Sequence, residues 1–502
     1  MTVERPSPVR DLDWDPKRAR AFADRTADIW QELLERLPTM PVARRWTAEQ
    51  VRDAVAIDVP DDPMADDELL AYLRDVVFEH SAYLGHPRFM AYISGAGTAA
   101  GAAADLLAAG VNMNVGGWQL APSATEIELA LARWFANDVF GLPEGAGGMI
   151  VSGGAMANFI ALKAARDHRA GWDVRNEGVA AGPPLGLYLS TETHVVSDRA
   201  ADMLGIGWAN VRHVPVDRDC HMRVDELRTR IARDLEAGVR PFAIVGTGGT
   251  VSTGAIDPLD EIADVCSEWG LWFHVDAAYG GPAMLADDLR PLFAGIERAD
   301  SIAFDPHKWL YTPHSGGCVL VRNMEHLRGS FDADPSYVHQ DKESTQHGID
   351  LGRYGPQFSR SFWALKVWVS LLAYGRAAYA RRISHDAALA RYLGERVRES
   401  EGFELAAPVG LSITCFRYVP PGLRGDNGAR EAYLNELNAK LMTEIQLDGR
   451  VFISNAVLDG RFVLRSCVVN FRTEAEDMDA VLDIAAELGA KLYTELRPGD
   501  LR

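Results

Sequence analysis

Between Gly85 and Gly375, short apolar runs alternate with helical patterns, and this alternation constrains the fold more than any other feature of the sequence. Short strands separated by helices indicate βαβ units, in which helices cover both faces of a largely parallel sheet. The sequence therefore predicts an α/β protein with a mostly parallel central sheet. The predicted strands are 148–152, 185–190, 242–246, 271–276, 301–304 and 318–322.

Two regions of different character flank this segment. Residues before Gly85 read as helices joined by turns rich in proline and aspartate. After Arg382, long amphipathic helices (384–400, 428–448 and 474–495) alternate with strands, which is typical of a smaller α+β domain. A chain of 502 residues suits two or three domains, and we place their bounds at 1–85, 86–382 and 383–502.

Two local patterns give further expectations. Ser123 and Glu126 have the spacing of a capping box, so we expect a helix that opens at Ser123 and buries Leu131 and Phe135 on one face. The stretch 339–348 (HQDKESTQHG) contains no apolar residue to anchor it, and we expect it to form a mobile loop.

The charge balance excludes several classes of partner. The chain has 51 Lys and Arg against 71 Asp and Glu, for a formal net charge of −20, which disfavours nucleic acid and anionic membrane surfaces. The five cysteines are widely separated, which indicates a reducing compartment and no zinc site or disulfide framework. The N-terminal stretch lacks the apolar core of a secretory signal, and no apolar run is long enough to span a bilayer. We therefore expect a cytoplasmic protein.

The first candidate site is a glycine-rich turn, SGGAMAN (152–158), which follows a predicted strand and opens a helix. Glycines there allow the backbone to approach an anion, and the N–H groups of Gly154, Ala155 and Met156 would point at it from the helix N-terminus. No GK[ST] follows, so the turn is not a Walker loop. A purely structural turn explains this motif equally well.

The second candidate is Asp276 in HVDAAYGG (274–281), a carboxylate at the end of an apolar strand. A buried carboxylate is costly unless a positive group pairs with it, and a protonated pyridine nitrogen would be such a partner. An aspartate that caps the next helix explains the position equally well.

The third candidate is Lys308 in SIAFDPHKWLYTP (301–313), between His307 and Trp309. A lysine withdrawn from water is more readily neutral, which makes it a usable nucleophile for a Schiff base. The alternative is a lysine whose amine extends to the surface. Its position after the other two features favours the chemical role.

Together these motifs resemble the group II pyridoxal 5′-phosphate (PLP) dependent decarboxylases, which include aromatic-L-amino-acid and glutamate decarboxylases. The resemblance runs from about Leu70 to the C-terminus. It rests on the three motifs above and on further ones in the same order: GHPRFMAYISG (85–95), NMNVGGWQLAPSATEIE (112–128), His194 in TETHVVSD, TGGTVSTGAIDP (247–258) and SRSFWALKVW (359–368).

The resemblance implies a fold type I enzyme that removes the carboxylate of an amino acid. It implies that Lys308 carries PLP as a Schiff base, that Asp276 pairs with the pyridine nitrogen, and that His194 stacks on the ring. The remaining implied cofactor contacts are Ala278 near the ring, Thr250 beside it, and Gly154, Ala155, Met156 and His307 at the phosphate. Family members are homodimers with the active site at the subunit interface, and residues 1–85 would then form a dimer arm.

The sequence departs from the family at two places. Asp305 stands where the family has asparagine, and because a carboxylate repels phosphate, we expect it to turn away or take another partner. The loop tyrosine thought to protonate Cα has no counterpart, since the alignment places Ile349 or Leu351 there and leaves Tyr354 out of register. Relatives without that tyrosine pass their intermediate to O₂ and yield an aldehyde, ammonia and peroxide. The matched His194 favours amine formation, with oxidative aldehyde formation as the alternative.

The expected substrate is an aromatic or medium-sized apolar L-amino acid. Tyr92 matches the aromatic decarboxylases and argues against glutamate, whereas Asn112, Asn114 and Gly116 resemble the acidic-substrate branch. We expect Tyr92, Asn114 and Trp118 to contact the substrate. Two other classes remain open: a PLP aminotransferase or lyase of the same fold, and an inactive relative that only binds partners. Intact Lys308, Asp276 and His194 weigh against the latter.

Overall fold

A computed structural model describes residues 9–333, 348–423 and 427–496. All of the loop predicted at 339–348 except Gly348 lies outside the described residues. The strands are β1 (Phe89–Met90), β2 (Gly147–Val151), β3 (Leu185–Ser190), β4 (Val211–Val214), β5 (Arg240–Thr247), β6 (Trp272–Asp276), β7 (Ser301–Phe304), β8 (Gly317–Val321), β9 (Phe403–Leu405), β10 (Ile413–Tyr418), β11 (Phe452–Leu458) and β12 (Arg461–Cys467).

The α-helices separate these strands along most of the chain. They are α1 (Pro16–Arg36), α2 (Ala48–Val55), α3 (Asp66–Tyr72), α4 (Ala99–Val111), α5 (Pro122–Trp134), α6 (Gly154–Arg169), α7 (Val174–Glu177), α8 (Val196–Met203), α9 (Val224–Glu236), α10 (Leu259–Trp269), α11 (Met324–Phe331), α12 (Ala364–Tyr374), α13 (Arg376–Glu399), α14 (Asn427–Asp448) and α15 (Ala475–Leu496).

The central sheet has seven strands in the order β2-β8-β7-β6-β5-β3-β4. All neighbours pair in parallel except at β8, which runs antiparallel to both β2 and β7. Every residue of β2, β3, β6, β7 and β8 is buried, because helices cover both faces. The predicted α/β class with a mostly parallel sheet is confirmed.

A second sheet lies in the C-terminal part, with the order β1-β11-β12-β10-β9. Its strands pair antiparallel except at its edge, where β1 runs parallel to β11 and Phe89 lies opposite Phe452. Residues of α14 and α15 such as Leu437, Leu441 and Val481 pack on it and form a core of their own. The smaller sheet thus takes one strand from a segment that the sequence groups with the large domain.

The predicted capping box at the start of α5 is wrong. The helix begins at Pro122, a residue suited to the first turn because it lacks an N–H, and no side chain caps it. Glu126 instead accepts a hydrogen bond from Trp118 Nε1 at 2.9 Å. The predicted buried face is present, since Leu131 and Phe135 are both in the core.

Within the described residues, none of the helices combines the length and the apolar composition needed to cross a bilayer. The expectation of a cytoplasmic protein continues to rest on the sequence.

Candidate active site

The three motifs of the sequence meet at one edge of the central sheet. β6 ends at Asp276, β7 is followed by the turn that carries Lys308, and β2 is followed by the glycine turn that opens α6. Because β2, β6 and β7 run in the same direction, their carboxyl ends lie together, which is where open α/β sheets bind ligands.

A cavity of about 450 Å³ opens at this edge. It is lined by residues from both sheets, including Ser454 and Arg465 of the smaller one. Seven of the residues predicted for the site line it: Tyr92, Gly154, Ala155, His194, Asp276, Ala278 and Lys308.

Asp276 is a buried carboxylate without a cationic partner. It is 4% exposed, and its Oδ1 accepts a hydrogen bond from the Ala278 N–H at 3.1 Å. Among the described residues, no lysine or arginine forms an ion pair with it. A buried anion in this state is stabilised by a positive group that enters the cavity.

The histidine two residues before Asp276 does not supply that charge. His274 is fully buried between Ser301 Oγ and Asn158 Oδ1, each 2.8 Å from a ring nitrogen. Burial lowers the pKa of His274 to about 4, although Asp276 acts in the opposite direction. The imidazole is therefore neutral at physiological pH.

His194 lies on the cavity wall. Its Nδ1 accepts a hydrogen bond from the Val196 N–H at 3.2 Å, so the proton of the neutral ring is on Nε2. Desolvation lowers the pKa of His194, with Asp276 opposing the shift and Lys308 adding to it. A neutral ring at this position is suited to packing against a flat ligand.

Lys308 is paired rather than isolated. Its Nζ lies 3.1 Å from Asp305 Oδ2, and the Asp305 side chain is almost fully buried. Asp305 therefore takes another partner, as expected, but it does not turn away from the site. His307 lies beside the same carboxylate, with its Nε2 at 3.9 Å and its Nδ1 2.6 Å from the carbonyl oxygen of Gly316.

The glycine turn presents backbone groups to the cavity. Gly154 and Ala155 line it at the start of α6, where the first N–H groups of a helix have no acceptor within the helix. Met156 does not line the cavity, and its N–H is donated to the Gly153 carbonyl at 3.0 Å. Two of the three predicted N–H groups are thus available to an anion.

The other predicted site residues lie elsewhere in this chain. Thr250 is buried behind the wall, with its hydroxyl 3.0 Å from that of Thr253. Asn114 and Trp118 do not line the cavity of their own chain. Asn114 Oδ1 accepts from the Arg360 N–H at 3.0 Å, and the Trp118 N–H donates to Asp350 Oδ1 at 2.7 Å.

These contacts join residues 112–118 to residues 348–354, and we call the two segments together the distal face. A further bond joins them from the Gly352 N–H to the Gly116 carbonyl at 2.9 Å. Leu351 is fully buried in this face and Tyr354 is 7% exposed, packed in the main core. Ile349, the other residue aligned with the missing tyrosine, is 39% exposed.

Arg465 is a cavity residue whose role the sequence left undefined. It is 2% exposed, and its Nη1 donates to the Tyr92 carbonyl and to Ser454 Oγ, both at 3.1 Å. Its Nη2 is buried without a hydrogen-bond partner. The sequence signal for this role is the position of Arg465 in the apolar strand β12, because arginine is rarely buried without an anion.

Tyr92 lies at the mouth of the cavity in a strained conformation. Its φ is +55°, in the left-handed region that tyrosine seldom adopts. The Tyr92 N–H donates to Ser454 Oγ at 3.3 Å, and its carbonyl accepts from Arg465. Both of its peptide groups are thus held by residues of the cavity wall, and its side chain is 60% exposed.

Comparison with known proteins identifies this arrangement. The family described as the pyridoxal-dependent decarboxylase conserved domain matches residues 49–419. The chain belongs to the pyridoxal-dependent decarboxylase family.

Two relatives and one solved structure illustrate the range of similarity to this decarboxylase. An aromatic-L-amino-acid decarboxylase of Bacillus atrophaeus is 33% identical over 93% of this chain and 95% of its own. A phenylacetaldehyde synthase of a Rosa hybrid cultivar is 30% identical over 92% and 91%. The crystal structure of Oryza sativa TDC with PLP and tryptamine has a TM-score of 0.89 at 28% identity, covering 96% of this chain and 99% of that one.

The decarboxylase is thus a PLP-dependent carboxy-lyase with the fold type I architecture. Its cavity fits the cofactor on its own geometry. Asp276 is a buried anion without a cation, the amine of Lys308 lines the same cavity, and unbonded N–H groups begin α6. Asp276 suits a protonated pyridine nitrogen, the Lys308 amine suits an aldehyde, and the N–H groups of α6 suit a phosphate.

Proposed function

We propose that this decarboxylase converts an aromatic or medium-sized apolar L-amino acid to its amine and CO₂. The observation that carries the proposal is a cavity in which Asp276, Lys308 and the unpaired Arg465 meet an otherwise largely apolar wall. The apolar and aromatic residues of that wall are Tyr92, Ile93, Ala155, Val196, Val251, Ala278, Tyr279, Ala456 and Val457.

Lys308 holds the cofactor through its amine, and the first turn of α6 with His307 binds the phosphate. When bound, PLP supplies an electron sink for the pair released as CO₂ departs. Asp276 keeps a proton on the ring nitrogen, because its buried charge lacks another cation. His194 packs against the ring and limits the movement of the substrate, which decides which bond is broken.

Arg465 binds the substrate carboxylate. Its free Nη2 is buried at the cavity wall, where a hydrogen bond to a carboxylate is strong because little water competes. Among the described residues of one chain, Lys308 and Arg465 are the lysine and arginine that line the cavity. A substrate with a second carboxylate would leave that charge without a partner, which favours an apolar side chain.

We further infer that the decarboxylase is a homodimer in which the distal face contributes to the partner's cavity. Asn114 and Trp118 then contact substrate across the interface. The solvent-facing apolar residues nearby support this, since Leu106, Leu107 and Val111 are each 64% exposed and α1 has no buried residue. Sedimentation at micromolar concentration should give the mass of two chains, and a monomer would exclude this arrangement.

Oxidative formation of an aldehyde is the second candidate function. Two positions align with the missing tyrosine, and they are occupied by Ile349 and Leu351. Leu351 is buried, and neither side chain has an acidic group. The similarity to a phenylacetaldehyde synthase extends over 92% of this chain. Without an acid to protonate Cα, O₂ has longer to react.

An amino-acid panel assayed with and without O₂ tests both candidates. CO₂, amine, aldehyde and peroxide are measured together, with Lys308→Ala as the inactive control. We expect amine equal to CO₂ for an aromatic or apolar substrate, independent of O₂. Aldehyde and peroxide equal to CO₂ would establish the second candidate instead, and the absence of CO₂ from every amino acid would contradict both.

A further inference from the structure

Asp305 occupies the end of the cavity where an anion is expected to bind. Its carboxylate lies against the first residue of α6: a Cβ atom at residue 154 would be 2.6 Å from Asp305 Oδ2. Only glycine leaves room for the acid at this distance. Asp305 lines the cavity, and its main chain is fixed by a hydrogen bond from the Asp305 N–H to the Ala278 carbonyl at 3.0 Å.

The charge of Asp305 is incompletely satisfied. Oδ2 has Lys308 Nζ at 3.1 Å, whereas Oδ1 is buried without a hydrogen-bond partner. The aspartate is 2% exposed, so water does not screen its field. The amine that balances it is also the one proposed to join the cofactor.

The other titratable groups around Asp305 do not replace this counter-charge. His307 Nε2 is 3.9 Å away, and electrostatic interaction with Asp305 also reaches His194, His314 and Cys318. Desolvation lowers the pKa of His194 and His314, so both are neutral near pH 7. Burial raises the pKa of Cys318, so that thiol carries no charge either.

We propose that Asp305 is a negatively charged member of the phosphate-binding site, which weakens the hold of the decarboxylase on PLP. The inference rests on the proposed location of the phosphate at Gly154 and Ala155. A phosphate dianion at this turn adds negative charge beside a buried carboxylate.

The substitution Asp305→Asn tests this directly, because the amide keeps the shape of the side chain and removes its charge. PLP binding to cofactor-free full-length protein is followed by absorbance at a single pH. We expect the variant to bind PLP about tenfold more tightly or better at pH 8, as a like charge is removed from a buried site.

Pyridoxal, which lacks the phosphate, separates an effect on the phosphate from an effect on Lys308. The two proteins should bind pyridoxal within about twofold of each other, since the repulsion requires the second anion. Inorganic phosphate should compete with PLP at lower concentration in the variant. A pyridoxal affinity that rises as much as the PLP affinity would overturn the inference and assign Asp305 to the lysine alone.

Asp300→Asn is the matched control. Asp300 precedes the same strand, β7, at its opposite end, and accepts a hydrogen bond from the Phe273 N–H at 2.9 Å. This variant should bind PLP as the wild type does. Asp305→Ser provides a second neutral variant and should also bind PLP more tightly.

The outcomes distinguish this inference from the proposed function. Equal PLP affinity of wild type, Asp305→Asn and Asp305→Ser would refute the role of Asp305 while leaving the cofactor site intact. Failure of the wild type to bind PLP at all would instead refute the site itself.

Discussion

Asp276 is the last residue of β6, and Asp305 directly follows β7, the neighbouring parallel strand. Both aspartates are nearly fully buried, but they differ in whether a positively charged side chain pairs with them. Asp276 faces His194 and His274, whose pKa values are lowered, and has no lysine or arginine partner in the described chain. Asp305 is 3.1 Å from the ammonium of Lys308. One acid lacks a cation until cofactor arrives, and the other already has one.

The comparison shows that equal burial gives these acids different tasks. An unpaired buried carboxylate costs several kcal/mol, so Asp276 is poorly explained by folding alone and well explained by a ligand that carries the missing charge. Asp305 needs no such ligand, and a second anion beside it is unfavourable. Neutralising the two acids should therefore change cofactor binding in opposite directions.

The largest effect is expected for Asp276→Asn. Loss of a buried charge pair costs about 3–5 kcal/mol, which corresponds to a fall in turnover of about 10²- to 10⁴-fold. PLP should also bind more weakly, whereas Asp305→Asn tightens it. Steady-state assays and PLP titrations of both variants check this, and two shifts of the same sign would break the comparison.

The second prediction concerns His274, whose neutrality leaves Asp276 without a counter-ion. Because its pKa falls from 6.5 to about 4 in the folded protein, the unfolded chain binds more protons between these values. Stability is therefore full above pH 6.5 and is lost as pH falls toward 4, by up to about 3 kcal/mol.

Urea unfolding of the wild type and of His274→Gln at pH 7, 5.5 and 4.5 measures this contribution. The variant should lack it, so the stability difference between the two proteins should narrow as the pH is lowered. Asp257 and Asp386, whose pKa values burial raises to about 6, act in the opposite sense in both proteins and cancel in the difference. A constant difference across this range would mean that folding leaves the pKa of His274 unchanged.

Arg465 is a buried cation whose Nη2 has no hydrogen-bond partner, so it is the counterpart of Asp276 for binding substrate. Arg465→Met should raise KM by about 30-fold, the equivalent of about 2 kcal/mol from a lost charged hydrogen bond, with a smaller change in kcat. Arg417→Met is the control, since Arg417 is fully buried but already paired with Glu431 at 2.8 Å. It should lower thermal stability without raising KM. An unchanged KM in Arg465→Met would remove Arg465 from the site.

The sequence predicted the core strands well because strands covered on both faces are apolar throughout. β4 was missed because it is an edge strand whose apolar pattern is interrupted by Arg212, which binds Asp234, and by His213, which contacts Asp198. The capping box at Ser123 failed because Pro122 already begins the helix. A local sequence pattern of this kind does not show at which of two neighbouring residues the helix begins.

The sequence predicted the site residues that lie in distinctive motifs of their own. Lys308, Asp276 and His194 are examples, and all three line one cavity. The sequence could not show that Arg465 and Ser454 converge with Tyr92, because Tyr92 lies more than 350 positions from both. Nor could it show that Thr250 faces away or that Asn114 lies on the distal face. Those outcomes depend on side-chain direction and on which chain supplies the wall.

The assignment of Lys308 is tested most directly by locating the covalent bond to the cofactor. Purified protein is reduced with borohydride, digested and sequenced by mass spectrometry, with Lys308→Ala treated in parallel. We expect a yellow protein with pyridoxyl phosphate on Lys308, and none on the buried Lys366, which pairs with Asp105 at 2.9 Å. A colourless protein, or a label on any lysine other than Lys308, would contradict it.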